Sequence, residues 1–161
     1  MKITDFNTAF QWASSRCARR ETCRKDIETK LRDTELPASV AEAVVERLES
    51  EGFIDQARFA RAFVHDKFEY DRWGRLKIAQ ALRLKGIDRK DIESALAETI
   101  DEEQYAETLR RLLRSKQQTL RFNPDDKREA YAASQKLLRF AASRGFEPHL
   151  VFEAVEQLSD E

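Results

Sequence analysis

Residues 72–87 read RWGRLKIAQALRLKGI, with five basic side chains, Arg72, Arg75, Lys77, Arg83 and Lys85, on a run otherwise suited to burial. Guanidinium and ammonium groups at that density suit one kind of chemistry, the recognition of phosphate or carboxylate, which the planar arginine fork meets bidentately. The competing reading is a solvated helix face, because long basic side chains also cover apolar surface with their stems. Residues able to carry a reaction offer less. His65 and His149 lie far apart without a Ser or Cys partner and read as surface or packing histidines. Cys17 and Cys23 stand six apart without metal-ligand spacing, so reduced thiols are expected. The four glycines, Gly52, Gly74, Gly86 and Gly145, build no phosphate loop. The pairs Asp125–Asp126 and Glu102–Glu103 look like helix starts and solvated faces, not a general acid and base. No enzyme activity, metal or cofactor is expected.

The elements that position these charges are helices. Charged residues make up 37% of the 161-residue chain, while glycine and proline are so few that breakers are scarce throughout. In LKIAQALRLKGIDRKDIESAL, Ile78 and Leu82 fall on one helix face, Gly86 stops the helix, and Ile87, Ile92, Ala95 and Leu96 begin the next. The same grammar recurs in KLLRFAASRGFEPHLVFEAV around Gly145, where Arg144 takes the place of Lys85. It recurs again in DIETKLRDTELPASVAEAVV, where Glu35 replaces the glycine and Pro37 opens the following helix. An aromatic-containing helical segment precedes each pair, with Phe59 and Phe63 spaced for one face.

Three helices repeated three times predict an all-α protein of stacked repeats, with limits at 1–51, 52–99 and 100–161. Charge alternates along them: residues 1–32, 58–90 and 110–146 are net basic, and the stretches between and after them are net acidic. Repeats stacked in one orientation would align the basic blocks into a stripe, extended by Arg24 and Lys25 in the first repeat and Arg139 and Arg144 in the third. Pairing of basic with acidic helices inside the fold is the equal alternative. Trp73 is read as a packing residue, Asp55 as an N-cap, and Ile78 and Leu82 as core. No apolar stretch approaches the roughly 20 residues that span a bilayer, and the start has no signal-peptide pattern, so a cytoplasmic protein is expected.

Residues 52–60 and 73–87 carry a resemblance. Gly52, Phe53, Ile54, Asp55, Phe59 and Ala60 fit one signature of the RecX family, regulators of the RecA recombinase. Trp73, Gly74, Lys77, Ile78, Leu82, Lys85, Gly86 and Ile87 fit the second. Trp73 stands where tyrosine is commoner, and Ala81 where the family usually has glutamate. Thr22, Asp26, Ile27, Lys30 and Leu31 resemble the family's spacing in the first repeat. The resemblance implies an elongated, curved, solenoid-like crescent that binds the RecA filament on single-stranded DNA and inhibits its ATPase and strand exchange. Such a protein would act as a monomer, with weak direct DNA binding and no membrane contact. A stand-alone DNA-binding protein and a scaffold for a helical partner are the other classes that suit the residues. Reversal of charge at Arg72 and Arg75 together is expected to weaken filament inhibition and leave the helices intact.

Overall fold

A computed structural model describes residues 2–161. Among these residues there are nine helices and no strand: α1 Phe6–Arg19, α2 Arg24–Arg32, α3 Ala38–Ser50, α4 Gln56–Glu69, α5 Arg75–Leu84, α6 Arg89–Thr99, α7 Glu102–Thr119, α8 Lys127–Ser143 and α9 Pro148–Ser159. The all-α expectation is met.

Five of these nine helices have starts set by aspartates. Asp5, Asp55 and Asp101 accept hydrogen bonds from the backbone N–H groups of Thr8 at 2.8 Å, Arg58 at 3.0 Å and Gln104 at 3.0 Å. Each satisfies an otherwise orphaned donor at the head of α1, α4 or α7, a cap that contributes about 1 kcal/mol. Asp55 is therefore the N-cap that its position suggested. Asp88 and Asp126 do the same for α6 and α8.

The stops of α3, α5 and α8 are set by Gly52, Gly86 and Gly145, with φ of 80°, 78° and 94°. After each, the next residue's N–H returns to the helix it leaves: Phe53 to Leu48 O at 2.8 Å, Ile87 to Leu82 O at 3.1 Å, Phe146 to Ala141 O at 3.2 Å. A left-handed residue lets the chain reverse while capping carbonyls, and glycine does this without a Cβ penalty. The α2–α3 turn manages without one. Thr34 donates its N–H to Leu31 O at 3.1 Å and its hydroxyl to the same carbonyl, so Glu35 has no left-handed backbone to supply. Pro37 lies one residue ahead of α3, where its carbonyl accepts from Val40 and Ala41.

Two compact units follow from the packing. The first comprises the chain up to Phe63 together with Ala81–Ala95, and the second Val64–Gln80 together with Leu96–Glu161. Residues of the middle triplet thus belong partly to each. In the first unit α1 and α2 both pack on α3, around a core that includes Ile27, Leu31, Val44, Val45, Leu48 and Ile54. Leu82 and Ile87 are also buried in their places. In the second, α7, α8 and α9 pack on one another, with Leu109, Leu113, Leu137, Val151 and Val155 buried. Burial of each such aliphatic side chain contributes roughly 1.5–3 kcal/mol. The second unit adds an aromatic series, Phe68, Tyr105 and Phe146, with ring centroids 5.8 and 5.0 Å apart. Ile78 is fully buried and Gly74 buried. Among the described residues no helix is long and apolar enough to cross a membrane.

Candidate functional site

The head of α5 is a built joint in the second unit. Gly74 N–H donates to Arg144 O at 2.7 Å and Leu76 N–H to Gly145 O at 3.0 Å. The two backbones touch: a Cβ on Gly74 would stand 2.4 Å from the Gly145 carbonyl and the Phe146 nitrogen. A Cβ on Gly145 would stand 2.3 Å from the Cβ of Lys77. Both glycines are required here by close approach.

Arg75 fills the space beside that crossing. Its guanidinium donates to Glu147 at 2.7 Å and Glu102 at 2.6 Å and lies 3.9 Å from the centre of the Tyr105 ring. The Tyr105 hydroxyl accepts the Arg75 N–H at 3.0 Å and donates to Glu147. Arg75 and Glu147 are only 19% and 18% exposed. Burial opposes the charge of Glu147, but the hydrogen bonds from Tyr105 and Arg75 outweigh it and hold the carboxyl below its ordinary pKa. Burial first, and then the neighbouring carboxylate, push the Tyr105 phenol well above its usual value. Arg75 is thus a fold-holding residue in this unit, and its reversal would set three acidic groups against one another. The expected harmless reversal at positions 72 and 75 together does not suit this geometry.

The first unit has a related joint at the head of α2. Lys25 Nζ donates to Leu84 O at 2.7 Å, and its stem lies beside Gly86, 3.8 Å from where a Cβ would stand. Lys85 pairs with Asp26 at 3.1 Å, with both side chains about one-third or more exposed. Arg24 pairs with Glu49 at 3.2 Å and Glu28 at 3.4 Å.

The nine basic residues picked from the sequence therefore divide. Arg24, Arg75 and Lys85 have carboxylate partners, and Lys25 has a helix-end carbonyl. Lys77 lies 4.5 Å over the Trp73 ring, which also has Lys67 at 4.7 Å, so Trp73 is a half-buried packing residue. Arg144 lies over Phe140 at 5.1 Å. Arg72, Arg83 and Arg139 are exposed, and among the described residues none of them has a carboxylate within 4 Å. Among the described residues Arg72 is the one non-glycine residue with a positive φ, 55°. It ends α4 in the way a glycine usually does, with Trp73 N–H returning to Lys67 O at 3.0 Å.

One basic site escaped the sequence reading. A cleft of about 620 Å³ in the first unit is lined by Arg16, Arg19 and Arg20 at the end of α1, Lys30 on α2, Lys85, and the rings of Phe59 and Phe63. The spacing of 16, 19 and 20 was the available signal, since residues three and four apart share a helix face. Among the described residues no group of three metal-binding side chains comes together, and burial pushes the thiols of Cys17 and Cys23 up.

Comparison with known proteins agrees with the all-helical fold. A family model described as RecX, second three-helix domain, matches residues 55–96. The regulatory protein RecX of Chlorobium phaeobacteroides is 30% identical over 158 residues, covering 98% of each chain. That of Streptomyces coelicolor is 30% identical over 138 residues, covering 86% of this chain and 70% of the relative. In three dimensions the chain is similar to the crystal structure of RecX from Lactobacillus salivarius, with a TM-score of 0.80 over 97% of each chain at 21% identity. It is also similar to a second crystal structure of a regulatory protein RecX, with a TM-score of 0.76 over 94% of this chain and 71% of that one at 23% identity.

Proposed function

The chain belongs to the RecX family of regulatory proteins, and from that premise we propose that it binds the RecA filament on single-stranded DNA and inhibits its ATPase and strand exchange. It acts without chemistry of its own, as a monomer in the cytoplasm, through three repeats at 1–51, 52–99 and 100–161. Its contact residues are the cations that the fold leaves to solvent, Arg72, Arg83 and Arg139. Arg24, Lys25, Lys77, Lys85 and Arg144 contribute the remaining positive field, and Arg75 orders the turn beside Arg72.

The observation that carries this reading is Arg72. An L-residue in the left-handed region costs about 1 kcal/mol, and glycine would remove that cost. An exposed arginine without an acidic partner gains nothing from the fold in return. A strained residue at an exposed turn is the kind of outlier from which a contact is inferred. Its guanidinium suits phosphate or carboxylate, both of which a nucleoprotein filament presents.

The test is the single-stranded-DNA-dependent ATPase of the cognate RecA with wild type and with Arg72→Gly, at two DNA concentrations. Arg72→Gly should raise the unfolding free energy by up to about 1 kcal/mol while weakening inhibition severalfold. Full inhibition by this variant would remove Arg72 from the contact surface. Inhibition that excess DNA abolishes would favour competition for the strand, the stand-alone DNA-binding alternative.

A further inference from the structure

The cleft in the first unit has a charge arrangement that the fold uses only in part: Arg16 lies 5.8 Å from the centre of the Trp12 ring, and among the described residues no carboxylate pairs with Arg16, Arg19, Arg20 or Lys30. Arg16 and Arg19 lie three apart on the last turn of α1, and Arg20 follows at its C-cap. Like charges at that spacing oppose one another on a helix. Lys30 comes to the same cleft from the last turn of α2. All four side chains are exposed, and among the described residues none has a carboxylate within 4 Å. The cleft does hold two carboxylates, but both are engaged: Glu21 with Arg58, and Asp26 with Lys85 at 3.1 Å. Helix C-termini favour a cation each. That preference does not explain four of them on one basin whose acidic groups are already paired.

We propose that this cleft binds a compact oligophosphate, the chemistry carried by the tail of a nucleoside triphosphate. Its volume lies within the range of about 300–1,000 Å³ typical of small-molecule sites. Arg16, Arg19 and Arg20 supply forked donors to phosphoryl oxygens, and Lys30 supplies a point charge. A single basin with converging cations fits one compact, multiply charged anion better than an extended acidic peptide, which needs repeated sites along a groove. The same chemistry has a second source, the phosphodiester chain of a single strand, and the experiment below separates the two.

The full chain is titrated calorimetrically with sodium tripolyphosphate, ATP, a short oligothymidylate without terminal phosphate and a polyglutamate peptide, at matched ionic strength, and its Tm is followed in parallel. Tripolyphosphate and ATP should bind with similar affinity and raise Tm by about 3 °C or more at saturation. The double variant Arg19→Gln/Lys30→Gln should lose at least about tenfold in that affinity while its own Tm stays within about 2 °C of wild type, since exposed unpaired charges contribute little to stability. A second double variant, Arg128→Gln/Lys136→Gln, removes exposed cations that do not line the cleft and should bind as wild type does. Equal loss in both variants would mean a general effect of net charge and overturn the site. Absence of binding at millimolar tripolyphosphate would overturn it, as would tighter binding of oligothymidylate or polyglutamate than of tripolyphosphate. No RecA is present in this assay, so its outcome is independent of the proposed filament inhibition.

Discussion

The joint at Gly74 and the joint at Gly86 use the same types of residue at different depths. At Gly74 two backbones touch, and Arg75 is held by Glu102, Glu147 and Tyr105 with most of its surface covered. At Gly86 only the flexible stem of Lys25 approaches, and the Lys85–Asp26 pair stays partly in water. A charge in the first setting has exchanged water for fixed partners, so losing one partner strands another. A charge in the second can rehydrate. Basic residues at the two joints therefore differ in what they are free to do according to how deeply each is covered.

The sharpest break of that comparison is at the glycines. Gly74→Ala sets a methyl 2.4 Å from three backbone atoms that cannot swing aside, and should destabilise the protein by about 3 kcal/mol or more. Gly86→Ala meets only side-chain atoms at 3.8 Å and beyond, so its cost is the left-handed backbone, about 1–2 kcal/mol. Urea unfolding of both variants measures the difference, and equal losses would dissolve the distinction between the joints.

A smaller effect separates the cations. Arg75→Ala should cost about 2 kcal/mol, since it leaves Glu147 half-buried with one donor fewer. Lys85→Ala should cost about 0.5 kcal/mol, the usual scale for an exposed pair. Adding salt should reduce the second loss more than the first.

The smallest effect appears in pH. Glu147 is held below its ordinary pKa in the fold, so it binds a proton less readily folded than unfolded. Its contribution is fully present above the unfolded carboxylate value of roughly 4.3 and fades as pH falls through the lower folded value. Glu147→Gln should therefore flatten the acid side of the stability profile below about pH 4. An unchanged slope would show that the network with Arg75 and Tyr105 does not set this carboxyl's titration.

Much of the fold was legible because the relevant forces are local. Asp55 could be read as a cap because a cap reaches only to the N–H three residues on, and Asp55 does so to Arg58. Gly86 and Gly145 could be read as stops because a left-handed turn is one residue's property. The first repeat escaped that rule because a hydroxyl, Thr34, does part of the glycine's capping. Site residues were less legible. Nothing near Arg75 in sequence announces Glu102 or Glu147, which lie 27 and 72 residues away. Nothing near Arg19 announces Phe59 or Lys85, which complete the cleft wall.

Along the chain alone could be read the all-helical class, the cap at Asp55, the stops at Gly86 and Gly145, and the motifs that place the chain in its family. Helix periodicity, capping and glycine turns act over three or four residues, and they can be read along the chain. Tertiary packing alone settles which cations are paired inside the fold and which stay exposed to solvent. Charge pairing and burial depend on side chains brought together from distant segments, and the same arginine is a strut or a contact according to which carboxylates arrive beside it.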